Sequence, residues 1–196
     1  MCSAAALDLV PLPSLTLTQW AALTEDVAGE WVDGRLVEEE VPNLDHEVVL
    51  AKLFVMLGTW FFQHQGFLFG SGVKYALNAQ RGRIPDLSAF FPESEKKPTR
   101  GSVLQVPPDV AIEIVSPSLS DQKRDRIEKL SEYAIFGVRY YWLVDPQMRS
   151  LEILELSADG RYIHVLCATE ETIAVPGCSG LELDVSALWA ELDRLG

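Results

Sequence analysis

Residues 107–146 read PPDVAIEIVSPSLSDQKRDRIEKLSEYAIFGVRYYWLVDP, and the fold prediction starts from this stretch. Its pattern predicts a buried strand at residues 110–115, a charged helix at 119–136 and a second buried strand at 140–144, because short β-branched runs bounded by proline are typical of strands covered on both faces. Glu113 interrupts the first run. A carboxylate inside such a strand costs several kcal/mol of desolvation unless it is paired or bound to a cation. Glu113 therefore needs a partner.

The bulk composition predicts one domain over residues 1–196, with residues 1–13 as a loose N-terminal arm. The hydrophobic share of 48% is ordinary for a globular protein, and no apolar run is long enough to predict a membrane span. The N-terminus lacks the basic region of a secretory signal. Three cysteines without C-x-x-C spacing indicate a cytoplasmic protein in a reducing compartment, with neither a disulfide framework nor a structural zinc.

The formal net charge is −13. A protein this acidic has no general electrostatic attraction for nucleic acid. A nucleic-acid-binding function would therefore require a local basic patch, or metal cations that screen the acidic groups.

Hydrophobic periodicity and turn residues divide the remaining chain into helices and strands, and their order predicts a mixed α/β layer fold. An Asp33-Gly34 turn predicts a hairpin near the N-terminus. The other predicted elements are helices at 14–28, 46–64 and 185–195, strand-like segments at 67–77 and 84–91, and antiparallel strands at 151–156, 162–167 and in the tail through 183.

Two predicted neighbouring strands each carry one acidic residue. Asp86 follows Pro85 within the 84–91 segment, and Glu113 lies in the next strand. If both carboxylates face the same side, they form a site for a hard divalent cation, since Mg²⁺ takes one or two carboxylates together with backbone oxygens, water and substrate phosphate. Phosphodiester hydrolysis there also needs a cation near the attacking water. Lys123 and Lys129, on the following helix, are the candidates.

That helix carries two stripes. At about 100° per residue, Asp125, Lys129 and Tyr133 align at i, i+4 and i+8 as one polar stripe. The predicted apolar face has Lys123 in its midst and consists of Leu119, Ile127, Leu130 and Ala134.

These residues carry a resemblance. The segments Pro85-Asp86, EIVSPS (113–118), KRDR (123–126), EKL (128–130), Tyr133, Gly137-Val138 and YWLVDP (141–146) resemble the Uma-type endonuclease family, which is similar to the PD-(D/E)XK restriction-endonuclease-like superfamily. Residues 30–34 and His46, which precedes a helix, resemble the N-terminal half of that family. The resemblance covers roughly residues 14–156.

The resemblance implies a restriction-endonuclease-like core: a mixed central β-sheet flanked by helices, with an N-terminal helix and hairpin. It implies an endonuclease that acts on DNA as a homodimer and depends on Mg²⁺ or Mn²⁺, with Asp86 and Glu113 as metal ligands. The superfamily lysine two residues after the acid is replaced by Val115, so a helix lysine takes its role: Lys129, or alternatively Lys123. The implied supporting residues are His46, Asp125 and Tyr133.

Structural interpretations stay open beside this one. Asp86 and Glu113 are equally compatible with pairing to Arg83 or Arg126 in a purely structural network. Lys129 alone is more typical of a solvated helix residue, and Glu30 is predicted to be exposed in the hairpin.

The sequence is therefore compatible with three functions. They are a metal-dependent endonuclease, a nuclease-fold binding or assembly module without catalysis, and a hydrolase of a small phosphorylated substrate.

Overall fold

The computed structural model describes residues 14–24, 29–37 and 42–195. The predicted loose arm at 1–13, the end of the predicted first helix at 25–28 and the end of the hairpin at 38–41 lie outside the described residues. Within the described ranges, no helix combines the length and apolarity that crossing a bilayer requires.

The chain consists of helical elements separated by groups of strands. The helical elements are α1 (Leu17–Ala21), α2 (Leu44–Gln63), α3 (Leu119–Lys123), a π-helical segment (Arg124–Lys129), α4 (Leu130–Phe136) and α5 (Ser186–Leu192). The strands are β1 (Glu30–Val32), β2 (Arg35–Val37), β3 (Phe67–Phe69), β4 (Tyr75–Asn78), β5 (Arg81–Arg83), β6 (Leu87–Phe90), β7 (Val110–Ile114), β8 (Tyr140–Asp145), β9 (Ser150–Leu156), β10 (Tyr162–Ala168), β11 (Thr172–Ala174) and β12 (Glu182–Asp184).

A six-stranded sheet forms the centre, in the order β10-β9-β8-β7-β6-β3. Strands β7 and β8 run parallel, and every other pair in this sheet is antiparallel. The helical run from α3 to α4 is the crossover that a parallel pair requires. Every residue of β7 and β8 is buried, as their apolar sequences predict. The mixed α+β fold with a central mixed sheet flanked by helices is confirmed.

A smaller sheet carries the N-terminal hairpin and has the order β2-β1-β5-β4. Asp33 and Gly34 both adopt positive φ, at 50° and 78°, as a two-residue hairpin turn requires. Trp20 of α1 packs on this sheet, and its indole N–H donates to the Gly29 carbonyl at 3.0 Å. The sheet and α1 together fix the backbone on either side of Glu30.

Helix α2 supports one face of the central sheet. Asn43 caps it by accepting a hydrogen bond from the His46 amide, so the helix begins at Leu44 rather than at residue 46. Its buried face, predicted from helical spacing, joins the main core through Val49, Leu53, Leu57 and Phe61.

Two of the predicted strands differ from the structure. The 84–91 segment is not one strand: β5 ends at Arg83 and β6 begins at Leu87, so Asp86 lies in the connection between two sheets. Pro85 has no N–H to donate to a ladder and therefore interrupts the strand. The 67–77 segment likewise divides around Gly70 and Gly72 into β3 and β4, which belong to different sheets.

The predicted apolar face of the 119–136 helix is wrong at two of its four positions, whereas Leu130 does pack, partly buried, against the core. Leu119 and Ile127 are 85% and 60% exposed, whereas Asp125, Lys129 and Tyr133 are buried. The polar stripe faces inward because it supplies the partners of Glu113 on β7.

Candidate active site

A cleft opens where β7 ends, beside the start of α2 and the π-helical segment. Six elements or connections contribute to it. Its lining residues are Pro42, His46, Asp86, Glu113, Ile114, Ser116, Arg124, Asp125 and Lys129. Of the residues that the resemblance implies, Asp86, Glu113, Lys129, His46 and Asp125 line the cleft. Tyr133 does not line it but donates a hydrogen bond to Glu113. The alternative lysine, Lys123, does not line it either.

Glu113 has its partners on the crossover helix. Its Oε2 accepts a hydrogen bond from the Lys129 ammonium at 3.0 Å, and its Oε1 accepts one from the Tyr133 hydroxyl at 2.9 Å. All three side chains are buried. The polar stripe predicted at i, i+4 and i+8 thus meets the acid that needed a partner.

The structural alternatives for pairing Glu113 are not observed. Arg126 contacts Asp145 at the end of β8 and Glu152 of β9. Arg83 instead contacts Glu30 and Glu132.

Asp86 is held from two sides. Its Oδ2 accepts a hydrogen bond from the Ile114 amide at 2.7 Å, which fixes the carboxylate against the end of β7. Its Oδ1 lies 3.1 Å from His46 Nε2, at the first turn of α2. The connection after Pro85 thereby brings Asp86 to the cleft that Glu113 lines.

One ammonium serves several acids in this cleft. Besides Glu113, Lys129 Nζ lies 3.2 Å from Glu30 Oε1 and 3.6 Å from Asp125 Oδ1. Three buried carboxyl groups thus surround a single lysine, and Asp86 lies nearby. A cluster of buried carboxyl groups either retains protons or attracts cations.

The pKa shifts follow from this crowding. Burial raises the pKa of Glu113 well above its usual value; Lys129 opposes the shift, while Asp86, Asp125 and Glu30 add to it. Burial also raises the pKa of Asp125. Burial opposes ionisation of Glu30, but Lys129 and Arg83 outweigh it and lower the pKa of that carboxyl.

At His46 the neighbouring charge outweighs the effect of burial. Burial lowers the pKa of its imidazole, but the hydrogen bond and charge of Asp86 outweigh it and raise the pKa. The site therefore favours positive charge at His46 as well as at Lys129.

Glu30 was predicted to be exposed, and this prediction is wrong. Its side chain is 0% exposed and contacts both Arg83 and Lys129. Charged residues are fully buried almost only when paired. The sequence carried one weak signal: Arg81 and Arg83 lie two residues apart in the strand beside β1, so both face the same side of the sheet and both need acidic partners.

Lys123 lies apart from this cluster. Its side chain is 67% exposed and pairs with Glu128 on the helix surface at 3.5 Å. The structure brings Lys129 to the carboxylates and does not bring Lys123 there.

The donor set of the cleft fits a small hard cation. Across the described residues, no group of three or more His, Cys, Asp and Glu side chains forms a metal centre. Asp86 and Glu113 offer carboxylate oxygens to one cleft. Mg²⁺ keeps several waters and binds proteins through one or two carboxylates plus substrate phosphate, so two acids are sufficient for it.

Comparison with known proteins supports the family resemblance. The model of the Uma2 family, described as "Putative restriction endonuclease", matches residues 16–186. The chain belongs to this family. The family resemblance predicted from the motifs is thereby confirmed.

A solved structure has the same fold. It is the crystal structure of "a putative nuclease belonging to DUF820" from Anabaena variabilis ATCC 29413. The two chains are 19% identical, and the match covers 91% of this chain and 99% of that chain with a TM-score of 0.71. No match was found among curated proteins.

Proposed function

We propose that this Uma2-family protein is a Mg²⁺-dependent endonuclease that hydrolyses phosphodiester bonds of DNA with a metal-activated water. One observation carries the proposal. Asp86, Glu113 and Lys129 come from a loop, a strand and a helix that are far apart in sequence, and they line one cleft. Such convergence of two acids and a base is what metal-assisted phosphodiester hydrolysis requires.

Each residue has a defined role in this proposal. Asp86 and Glu113 hold Mg²⁺, or Mn²⁺ in its place, through carboxylate oxygens. When bound, such an ion polarises a phosphoryl oxygen and lowers the pKa of a water. Lys129, fixed 3.0 Å from Glu113 Oε2, orients the attacking water and stabilises negative charge on the phosphate.

Three further residues support these groups. Tyr133 holds the second oxygen of Glu113, and His46 holds Asp86. Asp125 lies 3.6 Å from Lys129 Nζ and helps to hold the ammonium in place.

DNA as substrate must overcome the net charge of −13. The bound cation, Lys129 and Arg124 provide local positive charge at the cleft, which is where a phosphate would bind. We include in the proposal a homodimer, because two active sites would cut the two strands of a duplex together. We also include a cytoplasmic location, because the cysteine pattern is typical of a reducing compartment. Sedimentation velocity checks the dimer.

A nuclease-fold module without catalysis is the second candidate. Its supporting observation is that both oxygens of Glu113 already accept hydrogen bonds within the protein. In that case the cluster would be a closed structural network rather than a metal site.

Nicking of supercoiled plasmid DNA in Mg²⁺ or Mn²⁺ separates the two candidates. We expect cleavage by wild type and a loss of about 100-fold or more in Asp86→Asn, Glu113→Gln and Lys129→Met. Lys123→Met is the matched control, because it removes a lysine from the same helix outside the cleft, and its rate should stay within about twofold of wild type. Circular dichroism verifies that each variant is folded. Absence of cleavage by wild type, or full cleavage by both acid variants, would overturn the proposal.

A further inference from the structure

We propose that Glu30 is a positioning residue for Lys129, so that the small N-terminal sheet completes the active site. The inference rests on the proposed function, in which Lys129 acts on the water and phosphate. It adds a residue that lies 83 positions before Glu113, on the other sheet.

The carboxylate of Glu30 is itself fixed. Its Oε2 accepts a hydrogen bond from the Arg83 guanidinium, and its Oε1 accepts one from the Ile84 amide at 3.1 Å. Both donors belong to β5 or directly follow it, and β5 pairs with β1. A buried carboxylate held by a guanidinium and a main-chain amide of the neighbouring strand has little freedom to move.

The fixed carboxylate in turn orients Lys129. Glu30 Oε1 lies 3.2 Å from Lys129 Nζ, and Glu113 Oε2 lies 3.0 Å from the same nitrogen. A lysine side chain is flexible, and its ammonium has three donors. Two carboxylates from two different sheets fix both the position and the direction of that ammonium. Misplacement of a reacting group by about 1 Å can cost roughly 100-fold in rate.

Neutralising Arg83 does not by itself explain Glu30. Arg83 Nε and Nη2 already donate to the two oxygens of Glu132, on α4, at 2.6 and 3.1 Å. Arg81 also donates to Glu132, but it has Asp33 as a carboxylate of its own, so Asp33 and Glu132 already balance the two guanidiniums. Burying a further acid is costly unless it has another cation to serve. Lys129 is that cation. The Arg83–Glu132 pair also ties β5 to the helix that follows Lys129.

The order of the Lys129 side chain tests the inference without any activity. In metal-free protein with ¹³Cε-labelled lysine, the Lys129 signal is identified by its loss in Lys129→Met. We expect restricted motion of the Lys129 Cε–H bonds in wild type and a clear gain in mobility in Glu30→Gln. Asp33→Asn is the matched control, since Asp33 pairs with Arg81 in the same sheet and should leave Lys129 unchanged. If Glu30→Gln fails to fold, Glu30→Asp, one methylene shorter, replaces it. An equally ordered Lys129 in the Glu30 variant overturns the inference.

A double-mutant cycle tests its consequence for the reaction. We expect Glu30→Gln to lower the single-turnover cleavage rate about 10-fold or more, with little change in KM. In the Lys129→Met background the same change should alter the rate by less than about twofold, because the group it positions is gone. An equal loss in both backgrounds would assign Glu30 a structural role and overturn the inference. If wild type does not cleave DNA, the proposed function fails, and the Lys129 mobility result still decides whether Glu30 positions Lys129.

Discussion

Burial and the neighbouring acids raise the pKa of Glu113, and this predicts how stability depends on pH. A carboxyl whose pKa is raised in the folded state contributes stability below its usual pKa of 4.5, and this contribution is lost as pH rises through the folded pKa. Glutamine resembles the protonated form of Glu113 and cannot ionise, so Glu113→Gln avoids the loss of stability at high pH. Without divalent metal, we expect it to be about 1 kcal/mol more stable than wild type at pH 8, with a smaller gain at pH 5.

Urea unfolding at the two pH values measures this difference. The control is Glu128→Gln, which removes a carboxylate from the exposed face of the same helical run. A Glu113→Gln variant that is less stable than wild type at pH 8 would show that the ionised acid stabilises the fold.

The two cysteines in the described residues should differ in reactivity. Cys178 is buried in the main core, and burial raises the pKa of its thiol to about 12, while Cys167 is exposed on β10. Because the thiolate is the reactive form, we expect a maleimide at pH 8 to modify Cys167 and to leave Cys178 unmodified in the folded protein. The measurement is peptide mass mapping in a Cys2→Ser background. Modification of Cys178 at a comparable rate would contradict its burial.

At the residue scale, the sequence showed that Glu113 needs a partner and included Lys129 among the candidates, but it left Lys123, Arg83 and Arg126 open beside it and missed the burial of Glu30. An acid inside a β-branched strand indicates that a partner must be nearby. The polar stripe of Asp125, Lys129 and Tyr133 on the following helix supplies candidates for it. The burial of Glu30 depends instead on Arg83 and Lys129, which come from other elements. Local pattern has no means of pairing such distant charges.

Among the elements, the small sheet is held to α1 by a close contact at Gly82 of β5. A Cβ at Gly82 would lie 2.5 Å from the Trp20 ring. We expect Gly82→Ala to lower the free energy of unfolding by about 2 kcal/mol, since overpacking forces the tryptophan or the strand to move. The same change should weaken the hold of β1 on Glu30.

Gly70→Ala is the comparison for this change, because a Cβ there meets no atom within 4 Å. We expect its unfolding free energy to stay within about 0.5 kcal/mol of wild type in the same urea titration. Equal effects of the two substitutions would rule out the Trp20 contact as the cause.

The crossover helix can be tested on both faces. Ile127 is exposed and Tyr133 is buried against Glu113. We expect Ile127→Lys to change the free energy of unfolding by less than about 0.5 kcal/mol, as for a surface position. Tyr133→Phe should cost about 1 kcal/mol, because Glu113 loses a hydrogen bond. A large decrease in the free energy of unfolding of Ile127→Lys would instead support the apolar face predicted from periodicity.

Periodicity failed for this helix for a physical reason. Periodicity assigns apolar residues to the core. Here the sheet face beneath the helix presents Glu113, so a polar partner at that position stabilises the fold more than the apolar side chain of Ile127 would. The π-helical segment at Arg124–Lys129 also departs from 3.6 residues per turn, so a stripe counted at 100° per residue is displaced across it.

At the scale of the whole molecule, the sequence predicted the class of fold and the two buried strands joined by a helix, because buried strands and an intervening helix are local patterns; that the two strands pair in parallel comes from the structure. It did not predict that 67–77 and 84–91 divide between two sheets, or that β1 pairs with β5. These pairings join residues far apart in the chain, and their registers depend on packing that no local window contains. A single domain over residues 1–196 stays a prediction.

The measurement that tests the central claim most directly is calorimetric titration of Mn²⁺ into the metal-free protein. We predict one saturable site in wild type and in Lys123→Met, and its loss in both Asp86→Asn and Glu113→Gln, because these two acids supply the carboxylate ligands. The absence of binding to wild type, even with DNA present, or unchanged binding in both acid variants, would contradict a metal site in this cleft and leave Glu113 as a structural acid.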